Sequence, residues 1–271
     1  MADSASRRNF VQRTLSGIVL VAGVLGGIYK GGNVWVIVVA LLALLSLAEF
    51  YRLLSGPFRV SRGVGYLCAL LVVFSSAEGV RPVSIALILS LTVYVIFMIE
   101  IVRRQLFGVS FAVWNVGGTL SGVLFIVVPW TCIILLRNLP TGGLILVTLF
   151  ACTWGCDVAA YLVGSQWGRR KLCESVSPKK TWEGFWGGLM GSVLTCAVMV
   201  YAFEQPPFPL FWISLICGIP GQLGDLAESL IKREMGVKDS GRLIPGHGGV
   251  LDRFDSILIN GLLTYLVFGV L

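Results

Sequence analysis

Nine apolar runs can be read along the chain, near residues 15–29, 34–50, 64–77, 83–101, 111–136, 144–163, 185–203, 208–226 and 257–271. A membrane-crossing helix needs about 20 predominantly apolar residues, range about 17–25, so most of these runs predict spanning helices. The first, third and ninth are short and their ends are open. Charged or Gly- and Pro-rich segments separate the runs, and none is long enough for a water-soluble domain of its own. The first run follows Arg7, Arg8 and Arg13, as a secretory signal would. No small-residue cleavage site comes after it and more spans do, so it reads as an uncleaved first span. The pattern predicts an all-α, polytopic integral membrane protein with about nine transmembrane helices. Residues 1–150 carry helices without a motif. Residues 151–271 form a second region that holds two polar segments, 164–184 and 227–256.

Composition strengthens this reading. Of 271 residues, 56% are hydrophobic and 13% charged, and the mean hydropathy is +0.87. A soluble domain is about 45–50% apolar and about 25% charged. Soluble globular, disordered and fibrous classes are therefore excluded. The net charge of +7 would suggest nucleic acid in a soluble protein. In a membrane protein it reflects Lys and Arg gathered beside anionic headgroups, and no nucleic-acid partner is implied. If the loops are numbered alternately from the N-terminus, eighteen of the 21 basic residues fall in one set. The other set holds only Lys30, Arg81 and Arg137. This asymmetry places the N-terminus and both polar segments in the cytoplasm and the C-terminus outside, in a multi-pass cell-membrane protein. The seven cysteines are odd in number, five lie in apolar runs, and the single histidine gives no zinc pattern, so they read as small buried residues.

Chemistry-bearing residues concentrate in the two polar segments. Asp225, Glu228 and Ser229 fall at spacings of three and four, on one helix face, and Asp252 and Asp255 repeat that spacing. Carboxylates at a membrane boundary are costly unless paired or bound to a cation. Two such groups with little else to ligate suggest an oxygen-ligand Mg²⁺ site. Lys232, Arg233, Lys238 and Arg253 interleave with them, and alternating acids and bases suit a phosphate–metal complex. The run Pro245-Gly246-His247-Gly248-Gly249 supplies a tight turn whose N–H groups could approach phosphate. The plain alternative, a loop of surface ion pairs, is disfavoured because the acids continue into apolar runs. Neither G-x-x-x-x-G-K-[ST] nor G-x-G-x-x-G occurs, so ATP hydrolysis and dinucleotide chemistry have no support.

The stretch 229–255 resembles the signature of the phosphatidate cytidylyltransferase family, the CDP-diacylglycerol synthases. It carries Ser229, Lys232-Arg233, Lys238-Asp239, Pro245, His247-Gly248-Gly249, Asp252-Arg253 and Asp255. The earlier segment is similar to a second block of that family. There Asp157-Val-Ala-Ala-Tyr161 leads through Gly164 and Gly168-Arg169 to Ser177-Pro178-Lys179-Lys180-Thr181-Trp-Glu183-Gly184. Cys156, directly before Asp157, departs from it without an assignable consequence. The matches cover about 155–256, and the N-terminal residues fit only in length and character. The resemblance implies transfer of CMP from CTP to phosphatidic acid, with CDP-diacylglycerol and pyrophosphate as products and Mg²⁺ required.

On this reading Asp225 and Asp252 are expected as metal ligands, with Asp255 and Glu228 as further candidates. Lys232, Arg233, Lys238 and Arg253 are expected on phosphates, with Ser229, Asp239, Gly248 and Gly249 beside them. Lys180, Ser177 and Thr181 are expected on the nucleotide triphosphate. Asp157 is a ligand or a structural acid. His247 either moves a proton or only bonds backbone or phosphate. Glu49 and Glu100 lie near Arg52 and near Arg103 and Arg104, which reads as interfacial ion pairing. Gly184, Gly187, Gly188 and Gly191 form overlapping small-residue pairs, serving a dimer face or packing within one chain. The resemblance implies a homodimer. A membrane transporter for a phosphate-bearing or cationic substrate is the competing reading, since intramembrane charges also mark carriers. Crowding of polar residues toward one end of the chain favours an interfacial enzyme.

Overall fold

The structure, a computed structural model, describes residues 2–54, 60–79, 82–244, 246 and 248–270, with the side chains of 2–13, 82 and 83 outside that description. The helices, in chain order, are α1 (Ala2–Lys30), α2 (Gly32–Leu54), α3 (Arg62–Ala77), α4 (Pro82–Phe107), α5 (Ala112–Gly122), α6 (Val128–Arg137) and α7 (Gly142–Trp167). They continue with α8 (Trp182–Ala202), α9 (Pro207–Gly218), α10 (Pro220–Glu234) and α11 (Leu251–Tyr265). A π-helical turn, Val123–Val127, joins α5 to α6, and another, Leu266–Val270, extends α11. Each apolar run falls on one of these helices or on a joined pair. Seven segments are long and apolar enough to cross a membrane: Gly32–Leu54, Ser84–Phe107, Ala112–Arg137, Gly142–Trp167, Trp182–Ala202, Pro207–Glu234 and Leu251–Val270. Thr14–Lys30 and Arg62–Ala77 are shorter apolar helices. The protein is an all-α polytopic membrane protein. A small antiparallel hairpin, β1 (Lys171–Cys173) and β2 (Ser177–Thr181), stands between α7 and α8. The hydropathy pattern gave no sign of it, because its residues are basic and small without a period-two apolar face.

The chain forms two compact units, Met1–Leu135 with Asp239–Asp252, and Leu136–Lys238 with Arg253–Leu271. In the first, Trp35, Leu47, Tyr51, Ile126 and Trp130 are fully buried. Tyr51 donates its hydroxyl to the Thr119 carbonyl at 2.7 Å. Only glycine fits at 65 and 122, where a Cβ would lie 2.2 Å and 2.6 Å from the Tyr51 ring and hydroxyl atoms. A buried polar cluster ties α3, α4 and α5 together. Asn115 donates to Glu100 at 2.8 Å and to the Ser61 hydroxyl at 2.9 Å, and the Ser61 amide donates back to Asn115 at 2.7 Å. Glu100 also accepts the Phe111 amide at 2.8 Å and pairs with Arg103. The expected ion pair is present, within a wider network.

In the second unit α7 and α8 pack closely along a stripe of small residues. A Cβ on Gly187 would lie 2.6 Å from Val163, on Gly188 2.9 Å from the Cys156 sulfur, and on Gly191 2.3 Å from Ala159. Gly184 faces the Gly164 Cα in the same way, at 3.2 Å. Packing within one chain therefore uses this stripe. The run 208–226 is broken at Ile219-Pro220: proline has no N–H to continue the ladder, and it sits at the first position of a new helix. Gln222 closes the break by donating to the carbonyls of Gly218 at 2.6 Å and Phe185 at 3.0 Å. All seven cysteines are free, and six are buried.

Candidate active site

The break at Pro220 gives α10 its own character. Its first half is still packed in apolar surroundings while its face carries Asp225, Glu228, Ser229 and Lys232. Lys180, at the end of the hairpin, forms an ion pair with Asp225 at 2.7 Å and donates to the Gln222 carbonyl at 3.2 Å. The first polar segment thus meets α10 just ahead of the second, and within the second Arg233 reaches the Val176 carbonyl of the hairpin turn. Ser229 donates to the other Asp225 oxygen at 3.3 Å. One turn on, Lys232 pairs with Glu228 at 3.2 Å, and both are buried. Asp157 on α7 and Asp255 on α11 lie within electrostatic range of Asp225, and Lys180, Arg253 and Lys232 lie within range as countercharges. Three carboxylates from three helices thus share one locality with three bases.

The first unit holds the segment 239–252. Asp252, in the first turn of α11, accepts the Ser240 amide at 3.0 Å and the Gly249 amide at 2.8 Å. The Ile244 amide donates to the Gly248 carbonyl at 3.0 Å, closing a turn in which Gly246 and Gly248 have positive φ (76° and 88°), a conformation that favours glycine. His247 and Pro245 lie outside the described residues. Glu49, near the end of α2, is fully buried. The sequence suggests an interfacial ion pair for it, with Arg52. Instead its carboxylate turns onto this segment and accepts the amides of Val250 and Leu251 and the Ser240 hydroxyl. Sequence reasoning missed it because Arg52 offered a nearer partner. The available signal was an acid inside an apolar run, which is a functional flag by default.

Other expected site residues take varied positions. Lys238, Asp239 and Arg253 are exposed, and Ser177 is half-buried on β2. Arg233 donates to the carbonyls of Val176 at 3.1 Å and Val237 at 3.2 Å, so it ties the hairpin to the end of α10. Thr181 caps α8, its hydroxyl accepting the Gly184 amide at 3.1 Å. The donors in the acidic locality are carboxylate and hydroxyl oxygens, which suit a hard divalent cation such as Mg²⁺. Among the described residues no three His, Cys, Asp or Glu side chains close into a cage. An ion that keeps waters and takes substrate phosphate oxygens needs only one or two protein carboxylates.

Comparison with known proteins gives the class first. The Cytidylyltransferase family matches residues 11–271, and the chain belongs to that family. Among curated relatives, a Staphylococcus aureus (strain COL) protein named phosphatidate cytidylyltransferase is 33% identical over 254 residues, covering 91% of this chain and 94% of its own. A Bacillus subtilis (strain 168) protein of the same name is 39% identical over 192 residues, covering 68% and 67%. A third, from Synechocystis sp., is 45% identical over 131 residues, 48% of this chain and 44% of that protein, so this chain spans less than half of the latter's length.

Proposed function

We propose that the protein transfers CMP from CTP to phosphatidic acid, yielding CDP-diacylglycerol and pyrophosphate. One observation carries the reading. In a chain of this family, Lys180 of the first polar segment pairs with Asp225 on α10, the helix that leads into the second, beside Asp157 on α7 and Asp255 on α11. The lipid phosphate is already ionised at neutral pH, by analogy with phosphorylated side chains whose second pKa is about 6. No strong general base is then required. A lipid phosphate oxygen forms a bond to the α-phosphorus of CTP. The bond from that phosphorus to its bridging oxygen breaks, and the electron pair leaves with pyrophosphate. The barrier lies in bringing two polyanions together and in the charge that builds on the leaving group.

The chain's residues answer both demands. Lys232, Lys238 and Arg253 supply fixed positive charge to phosphate oxygens. Arg233 holds the hairpin against α10. Lys180 and Ser177 hold the triphosphate, and Thr181 fixes the start of α8 beside them. Gly248 and Gly249 give the turn a backbone that phosphate can approach, and Ser229 and Asp239 are further substrate contacts. Asp225, with Asp255 and Glu228 as further candidates, and Asp252 on its own segment are the carboxylates that would hold Mg²⁺, which would neutralise phosphoryl oxygens as a Lewis acid. Both polar segments face the cytoplasm, where a soluble nucleotide reaches them. The protein works in the cell membrane as a homodimer, through a face other than the α8 glycine stripe.

The test is direct. Purified protein given CTP radiolabelled in its α-phosphate, phosphatidic acid and Mg²⁺ is expected to produce a labelled lipid. Absence of labelled lipid, with substrate accumulating inside liposomes that carry the protein, would replace this reading with a carrier.

A further inference from the structure

We propose that Glu49, on a helix without a recognisable motif, is a positioning residue for the reaction: its carboxylate holds Ser240 and the backbone at 249–251 in the arrangement that aims Asp252. The inference rests on the reading of Asp252 as a site residue.

Glu49 is fully buried. One of its oxygens accepts the Val250 amide at 3.0 Å, and the other accepts the Leu251 amide at 2.8 Å and the Ser240 hydroxyl at 3.2 Å. Val250 and Leu251 stand at the start of α11, where amides have no intrahelical acceptor and negative charge is favoured. The carboxylate is thus a helix cap delivered from a distant part of the chain. Ser240 is shared: its hydroxyl goes to Glu49 and its amide to Asp252. Gly249 is shared too. Its amide goes to Asp252, and its Cα packs so tightly that a Cβ would lie 2.4 Å from a Glu49 oxygen and 2.3 Å from the Ser240 hydroxyl. A Cβ at Gly241 would likewise lie 2.4 Å from Glu49. The residues that orient Asp252 are therefore the ones that Glu49 grips. Both Glu49 oxygens accept, so a carboxamide there would press an N–H₂ group against an amide donor. Only a carboxylate fits.

Glu49→Gln, Glu49→Asp and Gly241→Ala, in full-length protein in lipid nanodiscs, are compared by amide hydrogen exchange and by steady-state kinetics. In Glu49→Gln, exchange in peptides covering 240–252 is expected to quicken by about tenfold or more while α7 and α8 keep wild-type protection. Its kcat is expected to fall by about tenfold or more with the KM for CTP within about twofold, the signature of a group aimed at the transition state. Glu49→Asp keeps two acceptor oxygens one methylene short and should fall between wild type and Glu49→Gln. Gly241→Ala crowds the carboxylate without changing it and should reproduce the local loosening. Wild-type exchange over 240–252 in Glu49→Gln would overturn the proposal. Loss of protection spread evenly along the chain in all three variants would overturn it as well, because Glu49 would then serve the fold alone. Asp252→Asn separates the layers. If it is inactive, wild-type kcat in Glu49→Gln overturns the positioning role by itself. If Asp252→Asn keeps wild-type kcat, the reading beneath the proposal fails, and the proposal with it.

Discussion

Lys232 and Glu228 show how a residue with two duties can be dissected. Their pair is buried, and removing one partner of such a pair costs about 3–5 kcal/mol because the other charge is stranded. Lys232→Met is therefore expected to lower the melting temperature and abolish turnover. The double variant Lys232→Met/Glu228→Leu should recover the melting temperature but not the activity, checked by thermal unfolding in detergent beside a CTP assay. Recovery of both would make Lys232 a structural cation only. The carboxylates call for another test. Asn at Asp225 or Asp252 keeps an oxygen but loses the charge that holds a cation and, at Asp225, the partner of Lys180. Activity is expected to drop by about two orders of magnitude or more, with the shape of the pH–rate profile unchanged, since no proton transfer is lost. A rate in Asp252→Asn that climbs steadily from about pH 7 to about pH 9 would instead mark a general base. The sequence displayed every one of these side chains but not their partners. That Lys180 meets Asp225, or that Thr181 spends its hydroxyl on a cap, depends on how the hairpin folds back.

Among the elements, α7 and α8 are the most dependent on small residues. Gly191→Ala would place a methyl 2.3 Å from the Ala159 Cβ, and overpacking of this kind typically costs about 1–3 kcal/mol. Gly23→Ala, on α1, meets nothing within 4 Å and is expected to leave the melting temperature unchanged or raise it slightly, through the better helix propensity of alanine. Thermal unfolding of the two variants side by side checks the contrast. The same Gly191→Ala protein should keep the wild-type oligomeric state on size exclusion, because the stripe is engaged within the chain. The helices themselves were legible: long apolar runs with charged borders allow little else in lipid. The break in the run 208–226 carried a signal in Pro220, yet apolar residues on both sides of it outweighed that signal. The start of α11 was legible from the helical spacing of Asp252 and Asp255 rather than from hydropathy. Asp252, Arg253 and Asp255 look like loop when read by hydropathy, although acids suit the first turn of a helix.

For the molecule as a whole, orientation follows from where Lys and Arg lie. Residues 164–184 and 227–256 are expected on the cytoplasmic side. Single cysteines at Ser175 and Arg242, in a background without Cys173 and the other native cysteines, should react with an impermeant thiol reagent only in inside-out vesicles. Both positions are exposed, whereas Ser240 is buried and would report nothing. Labelling of either site from outside intact cells would undo the topology and the shared cytoplasmic site. The charge asymmetry made this expectation readable from sequence. The grouping of Asp239–Asp252 with the first 135 residues was not readable, because it rests on hydrogen bonds between residues some two hundred positions apart, and no local pattern encodes such a pairing.

That separation has a consequence for biogenesis. Glu49 and Val250 are 201 residues apart, so at roughly 5–20 residues per second the ribosome needs about 10–40 s to supply the donors after α2 has emerged. During that interval a carboxylate at the end of an apolar helix waits without its final ligands. The nascent α2 must then accept donors made some two hundred residues later, and a chain interrupted before Val250 and Leu251 carries this acid without those two amides.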